Sequence, residues 1–169
     1  LSSSSAASDV YKRQVINNVA EVRNDCIVFV SPQSANVINN VGSEATGVVN
    51  FRNSLPSTSY AVLDSGWKYQ YDRYNDVYRY VPLNGDTAGC AVRTDFVADP
   101  WFSPAGFNRG QIKNVVKLAY SPGKTDRDTL YKKGVNPVVT FPGNGTVLFR
   151  DKTLLSCLLY TSPSPRDRG

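Results

Sequence analysis

The sequence predicts an α/β domain carrying an added β-hairpin. Two short, continuous apolar runs, residues 26–30 and 60–63, each follow a helix-like segment, as strands of a buried parallel sheet do. Residues 67–81 break that rhythm, because aromatic and polar side chains alternate there with period two. The chain has 169 residues and is 41% hydrophobic, enough to bury one core.

Val15, Val19 and Val22 fall on one helical face, with Glu21, Arg23 and Asn24 off it, so the chain opens on a helix. Cys26-Ile27-Val28-Phe29-Val30, closed by Ser31-Pro32, is expected to be a strand buried on both faces. Residues 31–42 are mostly polar and read as a loop. Ser43-Glu44-Ala45-Thr46 suits a helix start, with Val48, Val49 and Phe51 facing the sheet and Pro56 ending the segment. Tyr60-Ala61-Val62-Leu63 is the next strand.

Trp67, Tyr69 and Tyr71 alternate with Lys68, Gln70 and Asp72; 72–76 is turn-like and 77–81 alternates again, which predicts a hairpin with an aromatic face. Three uses of that face are open: covering a sheet edge, contacting another subunit, or stacking bases beside Lys68, Arg73 and Arg79. A helix over 85–97 follows, and its small residues, Ala88, Gly89 and Ala91, predict close approach to a neighbour. Residues 112–120 read as a strand. Thr125-Asp126-Arg127-Asp128 opens a helix whose last turn holds Lys132 and Lys133 before Gly134, a charge order that suits the helix dipole. Val138-Val139-Thr140-Phe141, the turn Pro142-Gly143-Asn144-Gly145 and 146–149 make a second hairpin. No repeat or low-complexity tract interrupts 15–156.

Between the helix over 85–97 and the strand over 112–120 lies Asp99-Pro100-Trp101-Phe102-Ser103-Pro104-Ala105-Gly106-Phe107-Asn108-Arg109-Gly110. Its prolines and glycines oppose regular structure, and its aromatics oppose a solvated loop. It therefore reads as a packed loop anchored by Trp101, and Trp101→Ala is expected to cost about 3 kcal/mol or more.

Residues 101–110, with the later runs Asn136-Pro137-Val138 and Val147-Leu148-Phe149-Arg150-Asp151-Lys152-Thr153 in the same order, resemble the tail sheath proteins of contractile-tailed bacteriophages. The resemblance covers nearly all of 15–156 and is strongest over 67–153. It implies that the α/β domain is the C-terminal half of a subtilisin-like sheath core domain. Arg150 stands where the family pattern has glycine, which puts the geometry of that turn in question.

Both ends of the chain are expected to be foreign to it. Ser4-Ser5-Ala6-Ala7-Ser8 and Asp9-Val10-Tyr11-Lys12-Arg13-Gln14 can be encoded by a sequencing-library transposase adapter, and Cys157-Leu158-Leu159-Tyr160-Thr161-Ser162 by its reverse complement. The expected division is 1–14 adapter-derived, 15–156 core, 157–169 adapter-derived, with 15–156 an internal slice of a longer gene and both tails disordered.

Without the tails' Lys12, Arg13, Arg166 and Arg168 against Asp9 and Asp167, the net charge of +5 falls to +3, too mild to argue for nucleic acid. No apolar run is long enough to span a bilayer. Cys26 and Cys90 read as buried small residues rather than a disulfide or zinc pair. The sequence has no histidine, which excludes a Ser-His-Asp or Cys-His arrangement and any histidine metal site within it. Asp72, Asn75 and Asp76 resemble part of a calcium loop that lacks its glycine and terminal glutamate. Asn84-Gly85-Asp86 resembles a phosphate turn without the glycine spacing that would make it one. No catalytic, cofactor-binding or metal residue is assigned, and no hydrolase activity is expected.

The resemblance implies a structural, non-enzymatic subunit in the virion tail sheath, assembled in the host cytoplasm. It implies sheath subunits in hexameric rings, the tail tube and the baseplate as partners, with neither nucleic acid nor membrane. Contraction would drive the tube through the host envelope for genome ejection. The alternatives are an α/β enzyme or ligand-binding domain whose active residues lie elsewhere, and the sheath of a related contractile injection system.

Overall fold

The computed structural model describes residues 2–155, with side chains from residue 9 onward; residue 1 and residues 156–169, and with them the expected C-terminal tail, lie outside the described residues. At the centre is a parallel sheet of β1 (Val28–Val30), β2 (Ala61–Asp64) and β6 (Val135–Asn136), in the order β1-β2-β6. Phe29 aligns with Val62, and Leu63 with Val135.

Strand alternation assigns a different fate to each face of that sheet. Val30, Ala61, Leu63 and Val135 join the larger core cluster. Above them lie α4 (Glu44–Ser54), through Val48 and Phe51, and α6 (Lys124–Lys132), through Leu130. Arg52, 8% exposed, binds α4 to its surroundings by donating to the carbonyls of Lys133 (3.1 Å) and Leu154. On the opposite face lies α5 (Asn84–Val97), in contact with β1 and β2. Its Cys90 joins Leu83, Ile112, Val138 and Leu148 in a second, smaller cluster.

The N-terminal helix is described from residue 2, in contrast to the disorder expected over 1–14. It runs as α1 (Ser2–Val15), a π turn (Ile16–Ala20) and α2 (Glu21–Arg23), and stops at Asn24 in the left-handed conformation, φ 56°. Among its described side chains Ile16 and Ala20 are buried; the expected stripe of Val15, Val19 and Val22 faces outward, with Val22 71% exposed. The isoleucine, larger than any of the valines, takes the core position.

Four further departures have local causes. β1 is an edge strand, so Ile27 is 46% exposed and Cys26 only half-buried. The expected loop over 31–42 contains a short helix, α3 (Ser34–Val37), which forms because Val37 packs into the larger cluster. Ser43 makes no side-chain cap; the Glu44 carboxylate accepts the Gly42 amide at 2.8 Å instead. Along α5, a Cβ on Gly85 or Gly89 would meet nothing within 4 Å, so these glycines serve no close approach.

The predicted aromatic hairpin is β3 (Trp67–Asp72) with β4 (Val77–Pro82), in register from Trp67↔Pro82 to Asp72↔Val77. The expected strand over 112–120 contributes only β5 (Lys117–Leu118), paired with β3. This segment crosses between two sheets and changes partners on the way. The Ile112 amide donates to Thr146, whereas those of Val116 and Ala119 donate to Tyr69 and Trp67. The second hairpin, β7 (Val138–Phe141) with β8 (Gly145–Leu148), forms as expected, and Gly134 closes α6 at φ 77°.

Candidate functional site

The hairpin consumes its own polar groups. Asp72 accepts the Asn75 side chain (2.8 Å) and the Tyr74 amide (3.0 Å) and pairs with Arg79 (3.1 Å); the Asn75 bond above all, with smaller pulls from the turn amides and Arg79, holds its carboxyl below the usual range. Asp76 accepts the Tyr71 hydroxyl. The residues that resembled a calcium loop thus close a turn. Among the described residues no group of three or more His, Cys, Asp or Glu is placed to hold a metal ion. Tyr69, Tyr71, Tyr78 and Tyr80 stack on one another at centroid distances of 4.8–5.6 Å. Lys68 does not accompany them: it is 4% exposed, 2.9 Å from Asp86, and donates to the Lys113 carbonyl. Asp86 and Asn84, the two polar residues of the phosphate-like turn, are both engaged. Asn84 caps the Gly85 amide at 3.0 Å, and its own amide donates to Ser31 Oγ at 2.9 Å.

That last bond belongs to a buried relay not anticipated from sequence. Ser31 Oγ donates to Asp64 at 2.5 Å, and the Gly66 amide donates to the other Asp64 oxygen at 3.0 Å. Ser31 and Asp64 stand at the carboxyl ends of β1 and β2, where open α/β sheets carry their ligand sites. Burial pushes the Asp64 carboxyl up to about 7, against the opposing pull of the Ser31 and Gly66 bonds. Ser31 is 3% and Asp64 1% exposed, so the pair ties strand ends together without meeting a substrate. The sequence signal was an aspartate directly after a fully apolar strand run.

The central loop is held differently from expectation. Trp101 is 59% exposed, which removes its assigned role as anchor; Phe102 and Phe107 are 42% and 44% exposed. The backbone does the anchoring. The Gly106 amide donates to the Leu148 carbonyl at 2.9 Å, and the Leu148 amide to the Gly110 carbonyl at 2.7 Å. A Cβ on Gly110 would lie 2.7 Å from the Leu148 oxygen, so the approach requires glycine there. Arg109 covers Phe102 at 5.0 Å, and Phe107 meets Phe141 edge-on at 5.2 Å.

Two of the concavities adjoin α5 and α6. One, about 270 Å³, opens beside α5 on the less covered face of the parallel sheet, with Ile27, Phe29 and Val62 as its floor and Phe102 and Arg150 at its edge. The other, about 160 Å³, lies between α6 and the chain leaving β8, lined by Lys124, Arg127, Tyr131, Phe149 and Arg150 among others. Arg150 rests over Tyr131 (4.9 Å) and Phe149 (5.1 Å) without a positive φ, so the turn tolerates it in place of glycine. Neither concavity presents an activated nucleophile.

The model of the phage tail sheath protein central domain matches residues 2–154. The chain is 47% identical to the tail sheath protein of Vibrio phage KVP40 over 163 residues, covering 88% of this chain and 24% of that protein. It is 44% identical to the tail sheath protein of Enterobacteria phage T4 over 172 residues, covering 96% of this chain and 25% of that one. The chain thus spans about a quarter of the length of these relatives. Two solved structures share the fold. A chain of the 6-fold symmetrised anti-feeding prophage baseplate matches with TM-score 0.61 and 14% identity, over 88% of this chain and 36% of that one. A chain of the contracted sheath complex of an extracellular contractile injection system matches with TM-score 0.58 and 15% identity, over 75% and 32%. With its central-domain match running almost from end to end, this chain belongs to the phage tail sheath protein family.

Proposed function

We propose that this chain is a stretch of the structural subunit of a contractile tail sheath, whose shortening drives a tail tube through the host envelope. The observation that carries the reading is the central-domain match over residues 2–154, supported by 44–47% identity to two curated sheath proteins. The geometry agrees in kind: the buried Ser31–Asp64 pair is closed to solvent and the hairpin acids are consumed by their own turn. In this reading the subunits assemble as six-fold rings around the tube and above a baseplate. The energy is stored in the extended assembly rather than drawn from a bound nucleotide. Residues 15–156 form the sheath core and the two ends derive from adapter DNA; resequencing the source gene tests that division.

The test of function is expression of the full-length polypeptide carrying this stretch, followed by negative-stain electron microscopy. Regular tubes or stacked rings are the expected result. A soluble, folded full-length product that never polymerises, or that turns over a small-molecule substrate, would overturn the reading.

A further inference from the structure

Beside α6, cations and aromatic rings alternate. Lys152 Nζ lies 3.5 Å from the centre of the Tyr131 ring. Arg150 lies 4.9 Å from Tyr131 and 5.1 Å from Phe149, and Arg127 lies 5.4 Å from Phe149 and 5.7 Å from Phe141. The sequence of contacts is therefore Lys152, Tyr131, Arg150, Phe149, Arg127, Phe141. Arg127 and Tyr131 stand one turn apart on α6, Phe141 ends β7, and the other three belong to the chain leaving β8.

A guanidinium seated against a ring is held by its flat face, while the N–H groups on its edge stay available. Arg127 and Arg150 use none of these donors within the chain. Among the described residues neither side chain donates a hydrogen bond or pairs with a carboxylate, and the same holds for the Lys124 ammonium at the start of α6. Lys152 differs, because its Nζ donates to the Tyr131 carbonyl at 3.4 Å. Lys124, Arg127 and Arg150 line one concavity of about 160 Å³. Arg150 also borders the cavity beside α5, but Tyr131 and Phe149, the rings that hold its guanidinium, line only the groove at α6.

The acid on the groove's lining is Asp128. It stands one turn after Lys124, yet it forms no ion pair with any of the three cations. Asp126, on the same helix, is taken by the Tyr120 hydroxyl at 2.9 Å. Three cations thus face one carboxylate, an excess of two positive charges. Charge, donors and size together select a ligand. A tetrahedral oxyanion of charge two balances that excess and presents paired oxygens to a guanidinium fork. The groove is large enough for such an ion and too small for a nucleotide, and Tyr131 and Phe149 are each engaged by two cations already, so neither is free to stack on a base.

We propose that Lys124, Arg127 and Arg150 form a binding site for a doubly charged oxyanion of the phosphate class, between α6 and the chain leaving β8. The site goes beyond the sheath reading and does not depend on it. Arg150 stands where the family pattern has glycine, so the central guanidinium of the site is a feature of this chain. The aromatic rings fix the two guanidiniums in advance, which lowers the ordering cost of binding.

The experiment titrates the 169-residue chain with inorganic phosphate in a calorimeter, at about pH 8, where the dianion prevails. Sodium chloride holds the ionic strength constant, so that screening does not change along the titration. Saturable one-to-one binding is expected, with a Kd below about 5 mM. Arg150→Gly, which installs the family residue, and Arg127→Gln should each weaken it at least about tenfold. Asp128→Asn should tighten it about threefold, because the opposing carboxylate is gone. Lys132→Gln, an equal loss of charge elsewhere on α6, should leave it unchanged. Circular dichroism checks that the variants fold, and Lys124→Gln replaces Arg127→Gln if that one does not. Sulfate should compete and acetate should not. Glycerol phosphate in the same titration separates two sources of the anion: tighter binding of the ester assigns the phosphate group of a larger molecule, and equal or weaker binding assigns the free ion. No saturable binding, binding untouched by Arg150→Gly, binding weakened as much by Lys132→Gln as by Arg150→Gly, weaker binding by Asp128→Asn, or acetate competing as well as sulfate would each overturn the proposal.

Discussion

The two faces of the parallel sheet are unequally finished. One is sealed by α4, α6, Ile16 and Leu154, which leave Leu63, Val135 and Leu130 fully buried. The other is covered by α5 only in part, and Phe29 and Val62 look into an open cavity of about 270 Å³. A strand residue therefore has a stability role set by its parity. Odd and even positions of β2 share a backbone but not an environment.

Truncation should expose that inequality most strongly. Leu63→Ala, on the sealed face, is expected to cost about 4 kcal/mol, because its pocket is walled on every side. Val62→Ala should cost about 1 kcal/mol, since its neighbourhood already opens to a cavity. Urea midpoints for the two variants, compared at equal m-value, test the contrast; equal losses would abolish it.

Asp64 sharpens the comparison at the strand ends. Its carboxyl is raised in the folded state to about 7 from an ordinary 3.8, so the folded protein holds a proton that the unfolded chain releases. The associated stability is fully present below about pH 4 and is lost as pH rises through about 7, a change on the order of 4 kcal/mol. Asp64→Asn should flatten that slope. Denaturation midpoints from pH 4 to 8 measure it, and an unchanged slope in the variant would assign the effect to other groups.

The central loop provides two smaller effects. Gly110→Ala places a methyl group against the Leu148 carbonyl and should cost about 2 kcal/mol. Trp101→Ala, despite the larger deletion, should change stability by less than about 0.5 kcal/mol, as exposed substitutions do. Thermal melts of the pair would reverse this ordering if the indole were the anchor.

Sequence reasoning succeeded where burial follows periodicity. The runs at 28–30 and 61–64, the helix over 44–54 and both hairpins were legible because their apolar spacing matched the element. It failed where a backbone contact outranked a side chain. Trp101 suggested an anchor, yet the bonds from Gly106 and Gly110 to Leu148 hold the loop, and nothing in a glycine's identity names its partner. β6 was missed because two residues carry no period. The Val15–Val19–Val22 stripe misled because a helical period identifies a face without saying which way it turns. The Ser31–Asp64 relay joins residues 33 positions apart, so the aspartate that follows the apolar run of β2 did not name its partner.

The Lys68–Asp86 pair, with its lysine buried, has a mechanical consequence. It sits at the root of the first hairpin, beside the register points Lys68↔Leu118 and Tyr69↔Lys117 where β5 braces β3. Beyond that brace the hairpin continues as two strands through Gln70↔Arg79, Tyr71↔Tyr78 and Asp72↔Val77, roughly 10 Å of ribbon. The stacked tyrosines stiffen this ribbon along one side, and Tyr74 at its tip is 97% exposed. A load on the tip is thus delivered as torque to the first turn of α5, through a clamp whose lysine is buried and whose aspartate is half-buried. The hairpin is a short lever with its fulcrum at Lys68.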